Sequence, residues 1–201
     1  MKDNYDDLVT ISGKDPVWEN FFTVYPLVII GTREANGEYN LAPKHLAIPL
    51  SWQNHFGFVC TPTHRTYHNI REQGEFTVSY PRPEQIVFTS LTASPRCEDD
   101  HKPIVDVLPT FKANEVDSLF IKDAYLYLEC KLDRIIDGFG KNSLITGTIS
   151  RAHASKSAMR HSDRDDNDVI HSNPLLAYIY PGRFTIIEDT QILPFPDGFK
   201  R

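Results

Sequence analysis

Asn40-Leu41-Ala42-Pro43-Lys44-His45, followed by His64-Arg65-Thr66-Tyr67-His68-Asn69-Ile70, is the pair of stretches that decides how this chain reads. The first run follows an Asn36-Gly37 turn. The second opens a helix after Cys60-Thr61-Pro62-Thr63. Two loops at strand ends, rich in backbone, hydroxyl and cationic groups, are what a phosphorylated planar ligand requires. Thr63 to Thr66 places hydroxyls and an arginine in the first turn of a helix, whose unpaired N–H groups and dipole favour an anion. Arg65 can hold two phosphate oxygens at once, which a lysine cannot. The same residues also read as a helix capped by Thr63 with a solvated Arg65. Pro43 lacks an N–H and fixes φ, so peptide groups beside it are free to meet the polar edge of a ring system. The plainer reading of that run is a bulged strand after a hairpin.

Working outward, residues 25–34 are β-branched and too short for a helix, and read as one strand. Asn36-Gly37 predicts a type I′ hairpin turn, with positive φ at both central residues. The chain returns through Tyr39 to Ser51, with Pro43 and Pro49 expected to break regular pairing. His55–Thr61 reads as a strand and Thr63–Gln73 as a helix, with Thr63 as N-cap and Gly74 closing it. Glu75–Tyr80 is the next strand. Glu84–Ala93 predicts a short helix with Ile86, Val87 and Leu91 inward. Residues 95–118 carry no clear pattern, and Cys97–Lys102 reads as an exposed loop.

Ala124–Ile136 and Ser143–His153 are expected to form a long strand pair around a turn at Asp137-Gly138. Leu176–Tyr180 and Phe184–Ile187 are short strands around Pro181-Gly182-Arg183. About seven or eight strands and two or three short helices, without βαβ alternation, predict a mainly β fold: an antiparallel barrel with peripheral helices. No repeat, low-complexity segment or long linker divides residues 1–201, so one domain is expected.

Bulk properties narrow the function classes. The chain has 201 residues, enough for one substantial core, and 21 Lys plus Arg against 27 Asp plus Glu, a net charge of −6. That balance argues against a nucleic-acid-binding surface while leaving room for a local phosphate pocket. No apolar run approaches the roughly 20 residues that cross a bilayer. The acidic start, Met1 to Asp7, lacks a secretory pattern. The odd number of cysteines, Cys60, Cys97 and Cys130, fits a reducing cytoplasm. No metal site is expected, since no Cys-x-x-Cys occurs and the His-x-x-x-His pair His64 and His68 is not by itself a ligand set. The eight histidines build no triad with a nucleophile. His153 and His171 read as satisfied polar residues, and residues 160–168 as a solvated loop. Trp18, Phe21, Phe22 and Tyr25 form an aromatic cluster suited to core, subunit contact or a ring over a cofactor.

The two loops together resemble the flavin reductase-like, FMN-binding split-barrel family. The resemblance rests on Ile29-Ile30-Gly31-Thr32-Arg33, Asn36-Gly37, Asn40-Leu41-Ala42-Pro43, Phe56-Gly57-Phe58-Val59, Arg65-Thr66, Asn69-Ile70 and Gly74-Glu75-Phe76-Thr77-Val78. Leu128–Leu132 and Leu144–Ile149 resemble the family's paired barrel strands. Pro174–Tyr178 and Gly182-Arg183-Phe184 resemble its closing strands. The likeness spans about residues 22–190.

It implies a split β-barrel, a homodimer, and FMN in a groove near the subunit interface. Asn40, Leu41, Ala42, Pro43, Lys44 and His45 would line the isoalloxazine ring, and Cys60, Thr61, Pro62 and Thr63 would run beneath it. Arg65 and Thr66 would hold the phosphate, with Asn69 close by. A NAD(P)H donor is implied as well, while the flavin carries the redox chemistry. Many relatives have Ser or an aromatic residue where Lys44 and His45 stand, so the ring environment here is more basic. NAD(P)H-using relatives often carry Gly-Asp-His between the long paired strands, where this chain has Gly140-Lys141-Asn142. That departure keeps a second reading open, a non-catalytic flavin-binding or sensing module on the same barrel. Pyridoxal-phosphate chemistry on the barrel is a third, opposed by the Asn-x-Ala-Pro run. No catalytic residue is assigned.

Overall fold

A computed structural model describes residues 7–198; most of the acidic N-terminal run, Met1 to Asp6, and residues 199–201 lie outside them. The strands are β1 (Thr23–Pro26), β2 (Val28–Arg33), β3 (Tyr39–Lys44), β4 (Ala47–Ser51), β5 (His55–Cys60), β6 (Glu75–Tyr80), β7 (Thr110–Lys112), β8 (Leu119–Ile121), β9 (Leu126–Phe139), β10 (Asn142–Ala154), β11 (Leu175–Tyr180) and β12 (Arg183–Ile187). The helices are α1 (Arg65–Gln73), α2 (Ile86–Leu91), α3 (Ile104–Val107) and α4 (Asp166–Ser172).

Seven strands form one antiparallel sheet in the order β3-β2-β6-β9-β10-β5-β4. Its two outer strands are consecutive in the chain, joined only by His45-Leu46. A flat seven-stranded sheet would hold them about 29 Å apart, whereas that link reaches at most about 11 Å. The sheet must therefore curl until its edges meet, and the Val59 N–H to Leu46 carbonyl bond (2.8 Å) carries the β4–β5 ladder into that short link. This is a split β-barrel whose seam is the Asn40–His45 region.

The barrel interior packs Val28, Ile30, Phe56, Phe58, Phe76, Val78, Cys130 and Ile145, with Tyr67 and Ile70 of α1 completing it. A second cluster covers the opposite face of β2: Ile29 and Leu41 pack under Leu108, Leu119 and Ile121. Hence Val28–Thr32 are all buried, which explains an apolar run without alternation. Gly31 is required there. A Cβ at that position would lie 2.3 Å from both the Leu119 carbonyl oxygen and Thr77 Oγ1.

Several expectations are corrected. Residues 25–34 are two strands, because β1 leaves to pair with β11 in a separate sheet, β1-β11-β12. The Asn36-Gly37 turn is a three-residue loop in which only Gly37 has positive φ (90°), while Asn36 Oδ1 accepts the Glu38 N–H (3.0 Å). Pro43 does not interrupt pairing: β3 is an edge strand, so its missing N–H harms no ladder, and the register with β2 runs through Pro43 to Lys44. The long hairpin turns at Gly140-Lys141 rather than Asp137-Gly138. Asp137 is held within the ladder, accepting from Ser143 Oγ (2.5 Å) and the Tyr67 hydroxyl (3.1 Å).

The cap of α1 is His64, without a side-chain bond, so Thr63 does not cap it; Gly74 closes it at φ 71° as expected. In α2, Ile86 is half-buried while Val87 and Leu91 face outward. The buried side is polar instead, because Gln85 Nε2 donates to the Lys122 carbonyl (2.5 Å) and Thr92 Oγ1 to the Thr89 carbonyl (2.6 Å). Trp18, Phe21 and Phe22 are exposed, which removes them from the core. Residues 104–121 form α3 and the β7–β8 pair over β2.

Candidate functional site

A cleft of about 640 Å³ opens at the barrel seam. One wall is β3, through Asn40, Ala42, Pro43 and Lys44; the second is the start of α1, through Thr63–Thr66 and His68. The third wall is the segment after α2, Thr92–Arg96 with Lys102. A smaller cavity of about 230 Å³ adjoins it and shares Pro43, Lys44 and His64, adding His45, Leu46, Val59, Cys60, Thr61 and Asn142.

Sequence and fold place these groups for identifiable reasons. The chain leaves β5 through a turn closed by the His64 N–H to the Thr61 carbonyl (2.9 Å) and enters α1 uncapped by a side chain. The start of α1 thus lines the cleft where Arg65 stands, and the positive end of its helix dipole there favours an anion. Asn40 is buried and organises the floor. Its Nδ2 donates to Thr66 Oγ1 (3.3 Å), and its Oδ1 accepts from Arg96 Nη2 (3.2 Å) and Lys102 Nζ (3.3 Å). Lys102 Nζ also donates to the Leu41 and Thr92 carbonyls, both at 2.7 Å. Burial, and then the Arg96 guanidinium, draw this ammonium from an ordinary 10.5 down to about 8.

The anionic end holds four alternating charges. Arg65 pairs with Asp100 and lies 3.8 Å from Glu34; Arg96 pairs with Glu34 and lies 3.8 Å from Asp100. At the other end Lys44 Nζ stands 3.5 Å from His64 Nδ1. Burial and the Lys44 charge lower both His45 and His64, so the two imidazoles are neutral near pH 7. The basic character expected of Lys44 and His45 together thus resides in Lys44. His45 is instead packed among aromatic rings, 4.4 Å from Tyr178 and 5.7 Å from Tyr25 between centroids. Burial raises the Cys60 thiol against the opposing pull of Lys44, leaving it protonated.

Of the sequence candidates, Asn40, Ala42, Pro43, Lys44, Thr63, Arg65 and Thr66 meet at the larger cleft, and His45, Cys60 and Thr61 at the smaller. Leu41 gives only its carbonyl, its side chain being in the second core cluster. Asn69 is buried with Nδ2 donating to Thr32 Oγ1 (2.9 Å), and Pro62 borders neither cavity. Arg96 and Lys102 are the residues sequence reading missed. They sit in a charged stretch 56 and 62 positions from Asn40, with no local pattern to mark them. Among the described residues no His, Cys, Asp or Glu cluster could hold a metal, and no helix is long and apolar enough to cross a membrane.

Known proteins share this architecture. The nitrilotriacetate monooxygenase component B of Bacillus cereus superposes with TM-score 0.79 at 15% identity over 92% of this chain and 98% of its own. The 2-nitrobenzoate 2-nitroreductase of Pseudomonas fluorescens gives 0.77 at 17% over 95% of each chain. Flavoredoxin of Desulfovibrio vulgaris (Miyazaki F) gives 0.73 at 19% over 95% of this chain and 100% of its own. These likenesses speak to the fold. Among curated protein sequences none matches significantly. The profile of the flavin reductase like domain, however, matches residues 22–179, from the last residue before β1 into β11. With the seam, the Asn40–His45 edge and the α1 start all inside that span, the chain belongs to the flavin reductase-like family.

Proposed function

We propose that the chain binds FMN in the seam cleft and acts as an oxidoreductase, passing electrons between a reduced donor and flavin or another acceptor. The observation that carries this reading is the cleft's polarity. Two guanidiniums, threonine hydroxyls and an uncapped helix start stand at one end, and Ala42, Pro43 and Lys44 line the side. Its volume lies within the about 300–1,000 Å³ usual for small-molecule sites. The donor set therefore fits a phosphorylated, planar flavin, and the family and its flavoredoxin neighbours agree with a flavin.

In this arrangement Arg65, Thr66 and Arg96 hold the phosphate, while Asn40 and Lys102 fix the β3 edge that orients the ring. Lys44 supplies the positive charge beside it. Bound flavin supplies the hydride and electron chemistry. The smaller cavity adjoins the ring side of the cleft and extends to Asn142 at the long hairpin's tip, where Asn142 Oδ1 accepts from Thr61 Oγ1 (3.1 Å). A nicotinamide donor would enter there.

The absence of an acid and an imidazole from Gly140-Lys141-Asn142 favours a second reading, a flavin-binding module without NAD(P)H oxidation. Exposed Trp52 on the β4 edge, with Ile48, Leu50 and Phe22, supports a homodimer. Free cysteines at 60, 97 and 130 support a reducing cytoplasm.

Titration with FMN, FAD and riboflavin, followed by anaerobic mixing with NADH or NADPH, tests the proposal. FMN should bind, and Arg65→Ala should weaken FMN about tenfold while leaving riboflavin unchanged. No binding of any flavin refutes the function. Binding without bleaching by either nucleotide selects the module.

A further inference from the structure

The four charges at the anionic end are not equivalent. Glu34 is buried, with 5% of its side chain exposed, and holds Arg96 directly and Arg65 at 3.8 Å. Asp100 faces the same two guanidiniums from the solvent side, with 54% of its side chain exposed. One carboxylate thus keeps the pair in position, and the other can leave without moving it. The Asp100 backbone stays anchored meanwhile: Arg96 Nη1 donates to its carbonyl (2.5 Å), and its N–H bonds the Cys97 carbonyl (3.0 Å). Only a side-chain rotation is needed to clear the site.

Charge balance gives this rotation a consequence. With Asp100 in place, two guanidiniums face two carboxylates and cancel, so an incoming anion is drawn only by Lys102 and Lys44 beyond them. With Asp100 turned away the set carries a net positive charge between two forked donors, which suits a tetrahedral phosphate monoester. We infer that Asp100 is a built-in competitor for the ligand's phosphate. Its carboxylate bridges Arg65 and Arg96, the phosphate displaces it, and its return helps expel the ligand. This rests on the seam cleft being the ligand site, and it makes the flavin an exchanging ligand rather than a retained one.

Asp100→Asn is the informative variant, because Asp100 sits at φ 66° and asparagine tolerates that left-handed conformation. Asp100→Gly, also at ease there, is the second. Removing the competing charge should tighten FMN binding about fivefold and leave riboflavin unchanged. The gain should shrink at high salt, since Asp100 and Arg65 are solvent-exposed. Inorganic phosphate should raise the melting temperature of Asp100→Asn more than that of the wild type, and adding Arg65→Ala should abolish the difference. Unchanged or weaker FMN affinity in both variants, or an equal gain for riboflavin, overturns the inference. If no flavin binds any of these proteins, the phosphate measurement decides alone. A larger stabilisation of Asp100→Asn sustains the competitor while the flavin reading falls, and equal stabilisation overturns both.

Discussion

Replacing Lys102 by methionine keeps the length of the side chain and removes its charge and donors. In the folded protein this ammonium is held at about 8 against 10.5 in an unfolded chain, which corresponds to about 3 kcal/mol disfavouring the folded, protonated state. The sign follows from which state binds the proton more tightly. Below pH 8 both states are protonated and the full penalty applies. Above it the folded amine loses its proton while the unfolded one keeps it, so stability rises with pH until about 10.5.

The neutral amine still has two N–H donors, enough for the Leu41 and Thr92 carbonyls, and Asn40 Oδ1 retains Arg96. Methionine removes both donors, leaving two carbonyls unpartnered at about 1–3 kcal/mol each. Near pH 7 this loss is offset by the vanished penalty, and the variant should match the wild type within about 2 kcal/mol. Near pH 10 it should be less stable by about 3 kcal/mol, because only the wild type gains. Urea unfolding of both proteins between pH 7 and 10.5 measures the gap. Parallel curves across that window would show that Lys102 titrates as an exposed amine, and the reasoning about this wall would fail.

Three further outcomes are expected. Gly31→Ala should destabilise the fold by more than about 3 kcal/mol, because its Cβ meets the Leu119 backbone; calorimetry showing less than about 1 kcal/mol would contradict the packing of β2 under β8. His101 lies 2.9 Å from Asp106 and 3.4 Å from Glu38. The Asp106 bond, against burial and with help from Glu38, raises its pKa above 6.5. Its stabilisation is therefore full below pH 6.5 and lost as pH rises through the folded value, so His101→Gln should be relatively weakest in acid and converge with the wild type as pH rises past that value. Denaturation showing the reverse trend would remove this latch on the 96–102 segment. Lys44→Ala should lower the midpoint potential of bound flavin by about 20 mV, since a nearby cation favours the reduced, anionic form. An unchanged potential in spectroelectrochemistry refutes that role.

The particular elements show why sequence carried some of this and not the rest. Gly74 as a helix stop, the strand at Glu75–Tyr80 and the loop around Asn36-Gly37 follow from local backbone preferences, and the structure has each within a residue or two. The turn's type does not follow from them, because a two-residue and a three-residue loop present the same dipeptide. The helix at 86–91 lies where expected but is turned the other way: its apolar residues suggest burial, while Gln85 takes the inner side through the Lys122 carbonyl, distant in sequence, and Thr92 through the nearby Thr89 carbonyl.

Sequence by itself determined the mainly β fold, the seam residues Asn40 to His45 and the arginine at the start of α1, since turns, periodicity and helix starts are encoded within a few residues. Only the tertiary structure decided that Arg96 and Lys102 close the cleft with Asp100 paired to Arg65 beside it, and that His45 is a neutral ring in an aromatic stack rather than a charge. Those facts depend on which distant groups desolvate or neutralise one another once the sheet has curled, and no local pattern records that distance.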